Sequence, residues 1–433
     1  MILFATTFSG IFYSIPAEAT VLKNSYKEVI DNVWQIVYRD FLDSSGKFQR
    51  SNWIELRKEV LSKTYSDSNE AYDAIRNMLL SLDDSYTRFL EPKEFNQMRI
   101  DTSGELTGVG IQIIKDKESD DLIIISPIEG TPAYDAGIKS RDKILSIDNI
   151  STEGMNIEDA VKLIRGKRGT KVKLEILRGS KSFFRVLSRE KIEIKSVSSR
   201  VNKTKNGLLI GYVRIKQFNA NASRETREAI NDLETKRVSG YVLDLRSNPG
   251  GLLDSSIDIS RHFINNGIIV STLSKDGLKE TKRGNGQALT KKPLVVLVNE
   301  ASASASEIVS GAIKDNKRGK LVGKKTFGKG LVQSMRTLVD GSGLTVTVAK
   351  YLTPNGTDIN KSGIVPDIEV KMNINPILPR EVGTRKDNQY RAGEKELINI
   401  IKRKNQISQF DPKTKNLKAF LGINKREKVF SLN

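Results

Sequence analysis

Between residues 195 and 322 short apolar runs alternate with amphipathic helical stretches, and this alternation restricts the fold more than any other feature of the chain. Residues 208–215, 240–245 and 294–298 read as strands, with 223–234 and 253–263 carrying apolar residues at helical spacing between them. A further helix begins near Ser304, and 320–322 makes one more short strand. Strands separated by helices pair in parallel, since the helix is the crossover that returns the chain to the same end of the sheet. An α/β layer follows for this part of the molecule.

The flanking segments have other textures. Residues 21–100 read as a small helical domain: Val29, Val33, Ile36 and Val37 share one face, as do Tyr72, Ile75, Met78, Leu79 and Leu82, before Asp83-Asp84-Ser85-Tyr86-Thr87 breaks the pattern. From Gly104 short β runs take over, at 109–114, 122–125, 143–147 and 172–177, with a short amphipathic helix at 157–164. Beyond Val370 the chain is charged and weakly patterned; 394–402 reads as a helix and the remainder as a peripheral appendage. At the start, 3–15 is apolar and uncharged and Ala17-Glu18-Ala19 fits a small-residue cleavage site, so 1–19 reads as an export segment, although the positive n-region is missing. The expected organisation is therefore 1–19 targeting, 20–100 helical domain, 101–190 β-rich domain, 191–370 α/β core and 371–433 basic appendage.

Charge and residue usage limit the chemistry. The formal charge of +19 would suit acidic partners, but the Lys and Arg are dispersed and form no nucleic-acid motif, so no nucleic acid is expected. Peripheral attraction to an anionic lipid surface is the minority reading of that charge. With one His and no Cys, a cysteine nucleophile is excluded, and a Ser-His pair would have to use His262. That residue lies in a helical stretch and reads as a helix-surface or satisfied core histidine rather than a base. No metal or other cofactor is expected.

A serine hydroxyl needs a neighbouring base, and a desolvated lysine can serve. Asn299-Glu300-Ala301-Ser302-Ala303-Ser304-Ala305-Ser306-Glu307 follows the apolar run 293–299 and precedes a buried helix, which puts a serine at a strand-to-helix turn. There free N–H groups and the helix dipole favour an oxyanion. Ser302, Ser304 and Ser306 all compete for the role. Lys329 lies between glycines in Thr326-Phe327-Gly328-Lys329-Gly330, where its stem can be packed, and Gln333 four residues on would share its face in an extended segment. The N–H of Ala305 is one candidate oxyanion donor, and Arg246-Ser247-Asn248-Pro249-Gly250-Gly251, after the strand ending at Leu245, offers the other. Asp315, at the end of the following helix, reads as an exposed acid or cap.

Gly108-Val109-Gly110-Ile111, then Gly130-Thr131-Pro132-Ala133-Tyr134-Asp135-Ala136-Gly137-Ile138, then Asp142-Lys143-Ile144-Leu145-Ser146-Ile147-Asp148 resemble a PDZ domain. The resemblance implies that an extended peptide adds to a strand edge while backbone N–H groups near Gly108, Val109, Gly110 and Ile111 hold its terminal carboxylate. From the helical segment to Gly363-Ile364-Val365-Pro366-Asp367, through Asp244-Leu245-Arg246-Ser247-Asn248-Pro249-Gly250-Gly251 and Phe327-Gly328-Lys329-Gly330-Leu331-Val332-Gln333, the chain resembles the carboxyl-terminal processing peptidases, or tail-specific proteases. That family implies a multidomain α/β and α+β protein with a crotonase-like core. It also implies a Ser-Lys serine endopeptidase that reads free protein C-termini. By motif position the nucleophile falls on Ser304, the base on Lys329, its orienter on Gln333 and the oxyanion donors on Gly250 and Ala305. Ala301 departs from the glycine common there. Leu82-Asp83-Asp84-Ser85-Tyr86-Thr87-Arg88-Phe89-Leu90 is similar to the cyanobacterial and plastid branch, which includes enzymes that trim the photosystem II reaction-centre precursor in the thylakoid lumen; periplasmic processing is the alternative. Two rival classes remain: a PDZ scaffold on an inactive protease-like core, and an acyl-CoA enzyme on a similar core.

Overall fold

The computed structural model describes residues 26–373 and 378–410, so the export segment expected at 1–19 lies outside them. The chain divides into two units, one running to Phe95 and taking in 333–348, the other comprising 96–332 and the chain from Ala349 on.

In the first unit, helices Tyr26–Asp40, Arg50–Ser62 and Ser68–Leu80 bury the faces that the apolar periodicity marks. Val33, Trp34, Trp53, Ile75 and Met78 form its core together with Leu338, Leu344 and Val346. Trp34 and Trp53 each donate the indole N–H to the other's carbonyl, at 2.7 and 3.3 Å, which satisfies two polar groups inside an apolar cluster. The helical run stops at Leu80, and Asp84 ties down the turn that follows. Its carboxylate accepts from the Tyr86 N–H (3.0 Å) and the hydroxyls of Thr87 (2.7 Å) and Thr347 (2.6 Å). A strand not expected in this helical stretch, Arg88–Leu90, then pairs antiparallel with residues 343–345.

The second unit holds the alternating segment as a six-stranded sheet. Its order is Val197–Lys203, Leu209–Ile215, Gly240–Asp244, Leu294–Val298, Lys320–Gly323, Ile368–Glu369, with the first pair antiparallel and the others parallel. Strand side chains alternate between two cores. Leu294, Val296 and Val298 face helices Ala222–Thr235, Leu253–Phe263 and Ala305–Asp315, whereas Val295 and Leu297 pack with Tyr390, Leu397 and Ile401. The last three belong to the C-terminal helix Asn388–Phe410. The expectation of a peripheral appendage after residue 370 is therefore corrected: this helix is the layer that covers the second face of a parallel sheet, which must be buried on both sides.

Ahead of this core, strands Ile111–Lys115, Leu122–Pro127, Lys143–Ile147, Lys171–Arg178 and Lys181–Ser188 form an antiparallel sheet in that order, with helix Ile157–Ile164 against its first strand. The chain enters through strand Glu105–Gly108 and leaves through Glu190–Glu193, and these two pair antiparallel over their whole length. The Ile194 N–H to Gly104 carbonyl bond (2.8 Å) and the Ala220 N–H to Thr102 carbonyl bond (3.0 Å) carry the join onward into the core.

Candidate active site

Three neighbouring parallel strands end on one edge of the core sheet, and each continues into a segment that the sequence singles out. Gly240–Asp244 leads into residues 245–252, Leu294–Val298 into 299–304, and Lys320–Gly323 into 324–330. The carboxyl edge of parallel strands is where ligands bind in open α/β sheets.

The serine segment separates its three hydroxyls. Ser302 is buried and donates to the Leu245 carbonyl (2.8 Å), and Ser306 is buried and donates to the Asn248 carbonyl (2.9 Å). Both therefore stitch the serine turn to the 245–252 loop. Ser304 is half-buried, stands immediately before helix Ala305–Asp315 and has φ 54°. A positive φ is strained for a non-glycine residue, and such strain clusters at functional sites. As the first helical residue, Ala305 has an N–H that precedes the intrahelical ladder.

Gly250 lies against this turn. A Cβ there would meet the Ser304 Cβ at 2.9 Å and the Ala303 carbonyl at 2.9 Å, and its φ is 109°. Its N–H, expected to face an oxyanion, is instead donated to Asn248 Oδ1 at 2.9 Å, because an Asn side chain readily closes a turn on the backbone two residues ahead.

Glu307, one turn into the helix, is the residue that the sequence reading passed over. Its carboxylate has no exposed surface. Oε2 accepts from the Ser304 N–H (2.9 Å) and the Lys329 N–H (2.8 Å), and Oε1 from the Gly328 N–H (2.8 Å) and the Thr326 hydroxyl (2.5 Å). One oxygen thus binds the backbone amides of both Ser304 and Lys329. The signal was present in Ser304-Ala305-Ser306-Glu307, the capping-box spacing in which an acid at the third helical position reaches back to the cap N–H. Thr326 also accepts from the Ile364 N–H (2.7 Å). The Gly328 carbonyl accepts from the Lys361 N–H (2.8 Å), and the Tyr351 hydroxyl donates to the Lys329 carbonyl. The lysine turn is therefore held from four sides, and Lys329 itself is half-buried. Gln333 belongs to the other unit, where it donates to Thr347 Oγ1 at 3.4 Å. His262 is buried with Nε2 3.0 Å from the Ser223 carbonyl, and burial holds its pKa below the ordinary imidazole value. Asp315 accepts from the Asn355 N–H at 3.1 Å.

Behind the 245–252 loop lies a buried ionic cluster. Arg246 makes two hydrogen bonds to Asp244 (2.9 and 2.6 Å), two to Asp387 (3.0 and 2.6 Å) and one to Gln389 (3.0 Å). Burial alone would lower the guanidinium pKa, but the charge of Asp244 and hydrogen bonds to both acids carry it upward. Burial would likewise raise the Asp387 pKa, and the bonds and charge of Arg246 hold it below the ordinary carboxylate range.

In the inserted sheet, Gly108, Val109, Gly110 and Ile111 come together as the wall of a cavity of about 80 Å³, which Ile113, Val161, Ile164 and Arg165 also line. Gly110 has φ 81°, and a Cβ there would strike the Thr131 side chain at 2.2 Å. Strand Ile111–Lys115 is an edge of its sheet. Arg165, at the end of helix Ile157–Ile164, is a second residue that the sequence reading did not single out.

Comparison with known proteins gives this α/β core, with its serine at a strand-to-helix turn and the β domain before it, a class: a serine-type protease with a PDZ module. Residues 209–370 match the model of peptidase family S41 and residues 123–178 that of the PDZ domain. The chain is 42% identical over 362 residues to a carboxyl-terminal-processing protease of Synechocystis sp., covering 83% of this chain and 84% of that protein. It is 41% identical to carboxyl-terminal-processing peptidase 2, chloroplastic, of Arabidopsis thaliana, over 77% and 67% of the two chains. The structure of a photosystem II D1 C-terminal processing protease superposes with a TM-score of 0.52 at 36% identity, over 80% of this chain and 93% of that one. The chain belongs to the carboxyl-terminal processing proteases of family S41.

Proposed function

We propose that this protease cuts protein C-terminal extensions with a Ser304–Lys329 dyad, and that its PDZ domain selects substrates by their free C-terminus. The observation that carries the reading is the buried Glu307 carboxylate, whose single oxygen accepts from both the Ser304 and Lys329 amides. Such a bridge fixes two residues from different loops to one point, as a nucleophile and its base require. In the reaction Ser304 Oγ attacks the scissile carbonyl carbon as its proton passes to Lys329 Nζ. The oxyanion forms beside the Ala305 N–H, while Gly250, whose own N–H Asn248 holds, leaves room where a side chain would collide. Lys329 then returns the proton to the departing amine, and water releases the acyl group from Ser304. In the PDZ domain the edge strand Ile111–Lys115 takes the peptide, with Gly108, Val109, Gly110 and Ile111 around the terminal carboxylate and Arg165 as a nearby cation.

The names of the Arabidopsis relative and of the D1 processing structure support a photosynthetic setting, with the precursor of the photosystem II reaction centre as substrate and the thylakoid lumen or periplasm as the place of action. The test is incubation of that precursor's C-terminal segment, with its free acid end, followed by mass measurement of the product. Ser304→Ala abolishes the shortened product in a folded protein, and Ser302→Ala and Ser306→Ala retain it. Activity in Ser304→Ala refutes the dyad.

A further inference from the structure

The C-terminal segment carries a polar residue that nothing in the peptidase chemistry requires to be there. Asp387 is fully buried and is the cap of helix Asn388–Phe410, accepting from the Tyr390 N–H at 3.0 Å, while its other oxygen accepts from the Gly383 N–H at 2.9 Å. The same two oxygens take the bidentate fork of Arg246, 141 residues earlier. Arg246 thereby has a partner for each of its five N–H groups, counting Asp244 and Gln389. Asp244 is itself fixed, accepting from the Tyr212 hydroxyl at 2.7 Å and from the Arg246 backbone N–H at 3.0 Å.

Arg246 opens the loop that reaches the reacting serine. The next residue, Ser247, has φ 55°, Asn248 is buried with its carbonyl accepting from Ala303 N–H and Ser306 Oγ, and Gly250 abuts Ser304. A buried arginine whose donors are all directed cannot turn without breaking charge-assisted bonds, so it holds the strand end that the loop departs from. We infer that Asp387 is a positioning residue for catalysis: through Arg246 the C-terminal helix sets the loop on which Gly250 and the oxyanion environment of Ser304 depend. The inference rests on the Ser304 reading above.

The test compares Asp387→Asn with Leu397→Ala in the full chain. Asn caps a helix as well as Asp does, so the first variant keeps the helix start while removing the charge from the fork. Leu397→Ala loosens the same helix at its apolar face, away from Arg246. Hydrolysis of a fluorogenic peptide with a free apolar C-terminus gives kcat and KM, and inactivation by a serine-directed fluorophosphonate gives a rate independent of product release. Asp387→Asn lowers kcat by up to about 10²-fold, the effect of a small displacement of reacting groups, with KM unchanged and phosphonylation slowed in step. Leu397→Ala lowers Tm and keeps kcat below its melting range. Wild-type kcat in folded Asp387→Asn, or an equal loss in Leu397→Ala, overturns the inference. If Asp387→Asn does not fold, Gln389→Met, which removes one acceptor from the same guanidinium without changing charge, takes its place. It then slows kcat alone, and full kcat overturns the inference. Ser304→Ala, run alongside, stays inactive in every case where the dyad reading holds, so the two failures are distinct.

Discussion

Replacing Glu307 by alanine removes one carboxylate and strands four donors at once: the N–H groups of Ser304, Gly328 and Lys329 and the hydroxyl of Thr326. Thr326 can turn its proton elsewhere, but the three backbone N–H groups cannot. Each buried donor left without a partner costs about 1–3 kcal/mol, so the three together cost about 3–9 kcal/mol before water enters the space. That is comparable with the whole stability of a typical domain, about 5–15 kcal/mol. The effect is local first, because the bonds join the serine turn to the lysine turn, and kcat falls by about 10²-fold or more as the pair drifts apart. Glu307→Gln separates geometry from charge. Its amide nitrogen belongs on the Gly328 side, where Thr326 can accept, and its oxygen then keeps Ser304 and Lys329 together. The cost is one unpaired N–H, about 1–3 kcal/mol, with a smaller loss of kcat. Thermal melting and steady-state hydrolysis of a peptide with a free C-terminus measure both. If Glu307→Ala melts like the wild type and keeps its kcat, the bridge is not what holds the two residues together.

Three further outcomes are expected. Lys329→Arg is inactive though folded, since a guanidinium cannot accept the Ser304 proton at workable pH; peptide hydrolysis at wild-type rate would remove the lysine base. His262, the chain's single histidine, is held below its ordinary pKa chiefly by burial, so as pH falls the unfolded chain takes up the proton first. Its contribution to stability is complete above about 6.5 and is lost as pH falls towards the folded value. The Tm of the wild type therefore drops between pH 7 and pH 5 more steeply than that of His262→Gln, and equal slopes would contradict this. Amidating the C-terminus of a bound peptide weakens its affinity for the PDZ domain by about 1.5–3 kcal/mol, readable by calorimetry with Ser304→Ala; equal affinities of acid and amide would exclude carboxylate recognition.

The parallel core was legible because its strands are buried on both faces and read as continuous apolar runs, such as Leu294–Val298, between helices of clear period. The segments of the candidate site were legible where the sequence carries rare arrangements: a serine before a buried helix, a lysine between glycines, and Gly-Gly at a strand end, which the fold brings to one edge of the sheet. Other parts escaped for definite reasons. In the C-terminal helix the buried apolar positions Tyr390, Leu397 and Ile401 are sparse among charged residues, so a helix that touches the sheet along one narrow line looks like a solvated tail. The Asp387–Arg246 fork joins residues that no local pattern relates. Asn248 took the Gly250 N–H through turn chemistry that competes with any external acceptor. Glu307 carried a local signal, but the capping-box spacing reads first as helix architecture, and only the lysine turn folded against it reveals the second use.

The antiparallel pairing of Glu105–Gly108 with Glu190–Glu193 brings the two ends of the PDZ insertion side by side. A module whose entrance and exit are zipped together is topologically a cassette, joined to the core along the chain through a short two-stranded stem. Insertions with adjacent termini are the kind that chains tolerate exchanging. Selection of the substrate and its hydrolysis can then diverge at separate rates, the reader being replaced above the stem while the loops around Ser304 stay as they are. A related reader of different end-group preference, grafted at residues 108 and 190, is accordingly the shortest route to a peptidase with the same chemistry and a new address.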